Sequence, residues 1–141
     1  MSKIYFRTQG GQFKGWGTII RLTSFAAYCR DVGGHTDITF FAEGPSEVIE
    51  YIRDHDFNVV ELKIGINVKE ESEELKQHPP ADLIVMEMQN VTFRRQKMLK
   101  EYTRQLVVFD DLFDHRYCAD IVVCGQDLPS YGNKDISSMD T

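Results

Sequence analysis

The chain has 141 residues, 42% of them hydrophobic and 27% charged, with a net charge of −6 and a pI near 5.2. That length suits one domain burying roughly two thirds of its unfolded surface, and the composition excludes a fibrous or disordered chain. The acidic balance and the lack of a Lys/Arg stripe argue against nucleic acid as a partner, and no apolar run is long enough to span a bilayer.

In chain order, Lys3 to Thr8 is β-branched and aromatic and stops at Gln9-Gly10-Gly11, which predicts a strand entering a loop. From Thr18 to Val32 the period changes. Ile19, Leu22, Ala26 and Cys29, with neighbouring Ile20 and Phe25, recur at three- and four-residue spacing, which predicts one helical stripe ended by Gly33-Gly34. Asp37 to Ala42 predicts a second strand. Glu47 to Asp54 predicts a helix with Ser46 as N-cap and Pro45 outside it. Asn58 to Leu62 reads as a third strand, and the acidic stretch Val68 to Lys76 as a helix whose charges face water, broken by His78-Pro79-Pro80. Ala81 to Met86 is almost continuously apolar, as in a parallel strand covered on both faces. A helix from Thr92 to Tyr102, a strand from Gln105 to Phe109 and a short strand from Ile121 to Cys124 complete the series.

Strands alternating with helices are the sequence form of βαβ units, so the expected fold is α/β: a Rossmann-like three-layer domain with a mainly parallel sheet. The expected domain is 1–126, with 127–141 as a linker or flexible tail. Met1 to Phe6 is too short and too polar for a signal peptide, so the expected location is cytoplasmic. Cys29, Cys118 and Cys124 lack paired spacing and are expected to be reduced and mostly buried. His35, His55, His78 and His115 share no ligand spacing, so no metal site is expected, and no cofactor is implied.

Ligands of open α/β sheets bind outside the carboxyl ends of the strands, which draws attention to Gln9 through Gly17. Gly10, Gly11, Gly15 and Gly17 let backbone N–H groups approach a ligand at a helix N-terminus, suiting a phosphate or a sugar hydroxyl. The competing reading is a tight turn and nothing more. Neither the full dinucleotide fingerprint nor a Walker A lysine is present.

The run Phe6-Arg7-Thr8-Gln9, five further residues, then Gly15-Trp16-Gly17-Thr18-Ile19-Ile20-Arg21 resembles the opening of the nucleotide-sugar hydrolases of pseudaminic acid biosynthesis and their spore-coat polysaccharide relatives. That family reads F-R-x-D, five residues, then G-x-G-H-x-x-R. Asp82 to Glu87 is similar to its D-L-x-x-x-D strand end, and Asp110 to Asp114 with Asp120 to its D-D-L-x-D and C-D motifs. The likeness runs over roughly 3–126 and implies the N-terminal half of a glycosyltransferase-B-like enzyme that releases UDP from an activated amino sugar, whose second half binds most of the nucleotide.

On that likeness, the substrate-binding candidates are Arg7, Gln9, Gly10, Gly15, Trp16, Gly17, Arg21 and Asp110. The catalytic positions are Thr18, Glu87 and Asp111. Thr18 stands where the family has its histidine, and Gln9 where it has an aspartate. Threonine does not titrate near neutral pH, so the expected function is binding of a UDP-sugar or amino sugar without catalysis by this chain alone. The alternatives are one subunit of a split glycosyltransferase or hydrolase whose partner chain supplies the nucleotide-binding domain, expected because the chain stops where the interdomain linker would be, and an interaction module with a decayed site. Arg7 and Arg21 either hold an anionic ligand or pair with nearby carboxylates. Trp16 either stacks on a sugar or closes the turn, and Asp110-Asp111 either act on a ligand or cap the strand end.

Overall fold

The computed structural model of the chain describes residues 2–11, 15–89, 91–111 and 116–124. Along them run β1 (Lys3–Gln9), α1 (Gly17–Asp31), β2 (Asp37–Glu43), α2 (Ser46–Asp54), β3 (Asn58–Leu62), α3 (Val68–Leu75), β4 (Ala81–Glu87), α4 (Phe93–Lys100), β5 (Thr103–Phe109) and β6 (Ile121–Val123). The expected tail from Asp127 to Thr141 lies outside the described residues, as do His115 and Leu112, Phe113 and Asp114 of the aspartate-rich run.

All five strand pairings are parallel, in the order β3-β2-β1-β4-β5-β6. The chain builds outward from β1 through β2 to β3, crosses back to β4, and continues outward through β5 to β6. This is the Rossmann-like three-layer arrangement, and its direction of winding reverses between β1 and β4.

Alternation along each strand sorts the core into two layers. Ile4 and Phe6 of β1 join Ile38, Phe40 and Val85 beneath α1 and α2, with the Phe6 and Phe40 rings stacked 5.0 Å apart. Tyr5 joins Phe41, Ile84, Met86 and Leu106 beneath α3 and α4. Because both faces are covered, the central strands read as nearly unbroken apolar runs.

Four local expectations need correction. Ile20 is 48% exposed, whereas Ile19, Leu22 and Ala26 are fully buried, because a residue one step along a helix turns about 100° off the stripe. Pro45, not Ser46, is the N-cap of α2: its extended backbone sets the entry and its carbonyl accepts the Val48 N–H at 3.0 Å, while Ser46 begins the helix. The charges of α3 do not all face water, since Glu71 is buried against Arg7. The three cysteines are free and half-buried rather than mostly buried. Among the described residues no helix is long and apolar enough to cross a membrane.

Candidate functional site at the sheet reversal

Parallel strands put all their carboxyl ends on one edge, and reversal of winding opens a crevice there because consecutive connections leave for opposite faces. In this chain the crevice lies beyond β4 and β5 at the start of α1, which the glycine loop precedes. The Gly10 N–H donates to the Glu43 carbonyl at 3.1 Å. Gly11 and Gly15 exchange both backbone hydrogen bonds, at 2.9 and 2.7 Å, with φ of 104° and 75°, in the left-handed region that glycine tolerates. A Cβ on Gly10 would collide with the buried Ile19 side chain and one on Gly11 with Pro45. The loop therefore has packing reasons for these glycines. Nothing lies within 4 Å of a Cβ built on Gly15 or Gly17.

Helix α1 then starts with Trp16 at its N-cap, no side-chain cap and no acidic residue in the first turn. Thr18 of that turn, with Glu87, Gln89, Phe109, Asp110 and Asp111, lines an open cleft of about 340 Å³. One turn further along α1, Arg21 spans two of these carboxylates. Its Nε donates to Glu87 Oε1 at 3.0 Å, its Nη2 pairs with Glu87 Oε2, and its Nη2 and Nη1 donate to Asp111 at 3.1 and 3.4 Å. The Phe109 ring lies 6.0 Å from the guanidinium. Asp110 is buried, with 8% exposure; its N–H donates to the Val123 carbonyl at 3.0 Å and its carboxylate accepts from the Tyr117 hydroxyl. Two carboxylates, Glu87 and Asp111, thus meet one guanidinium, and a third, that of Asp110, accepts from Tyr117 beside them, so the cleft is acidic and disfavours an anion.

The structure brings some of the candidates together and separates others. Thr18, Arg21, Glu87, Asp110 and Asp111 come together in the cleft, with Gly17 beside them on α1. Gln9 forms a tie rather than a wall of the cleft: only 4% exposed, it accepts the Gln89 N–H on its Oε1 at 2.7 Å, linking the ends of β1 and β4. Trp16 is partly exposed and meets the Tyr51 ring edge-on at 5.6 Å.

Arg7 lies outside the cleft and pairs with carboxylates, the second of the two roles expected for it. It projects from the α3 side of the sheet with 2% exposure. Its Nε and Nη2 donate to Glu71, each at 3.0 Å, its Nη2 to Glu43 at 2.9 Å and its Nη1 to the Thr8 carbonyl at 2.7 Å. Burial pushes the Arg7 pKa down, but the two carboxylates outweigh it and hold it above its ordinary value. Burial also pushes the Glu43 carboxyl up, and is outweighed by the Gly65 N–H at 2.7 Å and by Arg7, which leave it below its ordinary range.

Sequence reasoning missed Thr8, Gln89 and Phe109. Thr8 is fully buried beside Glu87 in the β1–β4 register, and its Oγ1 has no hydrogen-bond partner among the described residues. The available signal was positional, since all three sit at the carboxyl end of a central strand or just past it. Among the described residues no group of three or more His, Cys, Asp or Glu side chains is arranged to hold a metal ion.

Comparisons with protein-family models, with curated proteins and with solved structures returned no match. Fold and site together define the chain as a Rossmann-like α/β domain with an acidic, arginine-bridged cleft at its sheet reversal.

Proposed function

We propose that this chain is a sugar-binding half-domain, taking the sugar of a UDP-amino sugar or a free amino sugar in the acidic cleft, and that it does not catalyse alone. The observation that carries the reading is Arg21 held between Glu87 and Asp111 beside Thr18. Carboxylates fixed by a guanidinium present outward lone pairs in a set geometry, which suits hydroxyl and amino groups at neighbouring ring positions. Phe109 adds an apolar surface for a ring face. The resemblance to the UDP-amino-sugar hydrolases supports the same ligand class. Thr18 offers a hydroxyl that can bind a donor but cannot serve as a base near neutral pH.

Calorimetric titration with a panel of UDP-amino sugars and free amino sugars tests the reading. Saturable heat is expected for at least one member, weakened about tenfold or more by Asp111→Asn, the scale of one hydrogen bond to a charged group. Absence of both heat and thermal shift across the panel overturns it. Release of UDP above the buffer rate overturns the non-catalytic part alone.

A second reading, as one subunit of a split transferase or hydrolase, draws support from the apolar surface on the first turn of α1. Trp16 is 37% and Ile20 48% exposed at the start of the helix that carries Thr18 and Arg21, a surface a partner domain could cover. Co-purification of a glycosyltransferase-like chain, lost on Ile20→Glu, is the expected result; recovery of none overturns it.

A further inference from the structure

The sheet is covered unevenly. On the α3 and α4 side, Leu106 and Val108 of β5 are fully buried, and α4 lies against that strand. On the opposite side the same strand is open: Gln105 is exposed, and Val107 and Phe109 are only half-buried. The helices of that side, α1 and α2, lie against β1, β2 and β3, and α1 reaches β5 at its margin, where the Phe25 ring stands 5.7 Å from that of Phe109. Register carries the open strip outward to β6. Ile121 pairs with Val107 and Val123 with Phe109, so these side chains share one face. Ile121 is 51% exposed. An apolar sheet face needs a second layer packed on it, and among the described residues no helix covers this strip.

The outward face of α1 has the complementary property. The other helices carry charge on theirs: Glu50 and Arg53 on α2, Lys69 and Glu73 on α3, Arg94 and Lys97 on α4 are all exposed. Between Arg21, which turns to Glu87 in the cleft, and Arg30, which pairs with Asp31, α1 carries no charge at all. Ile20, Ser24 and Tyr28 follow one another at four-residue steps, and Val32, whose backbone is still helical at the C-cap, extends the row. Ile20 is 48%, Tyr28 62% and Val32 67% exposed. A row at this spacing is the ridge with which a helix packs onto a neighbour. With Ile19, Leu22 and Ala26 buried on its inner side, α1 is apolar on two sides, the pattern of a helix held between two layers.

We propose that two copies of this chain associate about a two-fold axis, with the outward ridge of each α1 seated on the open β5–β6 strip of the other. One chain carries both halves of the missing packing: a strip without a helix and a helix without an outer layer. A two-fold closes both together, because each patch meets its complement in the partner. The two α1 helices then lie between the two sheets. Charge selects the same surfaces, since chains of net charge −6 repel one another and the ridge and the strip are where charge is absent. The exposed area of the two patches is roughly 600 Å² per protomer, on the order of 1,200 Å² for the pair, the lower bound of a specific interface. The inference goes beyond the sugar reading and does not rest on it.

Sedimentation velocity of the purified chain, from micromolar to near-millimolar concentration, is the test. A concentration-dependent shift from 16.3 kDa to twice that mass is expected. Tyr28→Glu on the ridge and Ile121→Glu on the strip should each weaken the dimer about a hundredfold or more, because the two-fold repeats each lesion. Both positions are exposed, so the circular dichroism spectrum should stay that of the wild type. Lys97→Glu, outward on α4, should leave the dimer unchanged. Mixing Tyr28→Lys with Ile121→Glu should restore part of the association, since the mixed pair keeps one undamaged helix-on-strip contact and sets opposite charges in the other. A chain that stays monomeric throughout overturns the proposal, as does one that uses the ridge only to bind a different chain. A dimer lost on Tyr28→Glu but indifferent to Ile121→Glu also overturns it, by assigning the contact to the ridges alone.

Discussion

Replacing Glu71 by alanine removes the centre of the buried charge network without touching the acidic cleft. Glu71 is 1% exposed, takes two hydrogen bonds from Arg7 at 3.0 Å and lies 3.5 Å from Arg95. After truncation Arg7 keeps Glu43 and the Thr8 carbonyl, whereas Arg95 loses its nearest carboxylate. Breaking a buried pair and leaving a cation uncompensated costs about 3–5 kcal/mol, a large fraction of the roughly 5–15 kcal/mol that holds a domain together. At about 2–4 °C per kcal/mol for a domain of this size, the melting temperature should fall by about 6–20 °C. Urea unfolding followed by circular dichroism gives the free energy directly. The double variant Arg7→Met with Glu71→Leu should cost less than the sum of the single changes, with a coupling on the order of 1–3 kcal/mol. A loss below about 1 kcal/mol for Glu71→Ala, the worth of an exposed pair, would refute the buried network and the placement of Arg7 with it.

Two further outcomes follow from the loop and from Glu43. Gly10→Ala forces a Cβ onto Ile19, whose side chain is fully buried, and should cost about 1–3 kcal/mol; Gly17→Ala meets no atom within 4 Å and should be close to neutral, and equal urea midpoints for the two variants would contradict the packing argument. The Glu43 carboxyl is held below its ordinary value of 4.5 in the folded chain, so its contribution to stability is complete above that value and is lost as pH falls through and below it. Urea midpoints should therefore fall more steeply in wild type than in Glu43→Gln as pH drops below about 5, and parallel profiles would show that the carboxyl is not held there.

Much of the architecture was legible because it is written in local patterns. The almost unbroken apolar stretch from Ala81 to Met86 signals a strand covered on both faces, and β4 is that strand. Asn58–Leu62 was readable to the residue. The charge pairings were not legible, because partners such as Arg7 and Glu71 or Arg21 and Glu87 lie more than sixty residues apart. A trace was present in α3, where Val68, Glu71 and Leu75 recur at helical spacing, so that Glu71 stands within the apolar stripe. Arg7 likewise shares the strand face of Tyr5. Opposite charges at core positions of two elements are the signature of a buried pair, but only the crossover topology says which two elements meet.

The tie from Gln9 to the Gln89 backbone joins the ends of the two central strands at the place where their connections part. It is a single neutral hydrogen bond between side chain and main chain, independent of pH and insensitive to salt. The ends of β1 and β4 are therefore joined beside the acidic cleft by a contact that neither pH nor salt addresses, so a response of the cleft to either reports on its carboxylates and its arginine.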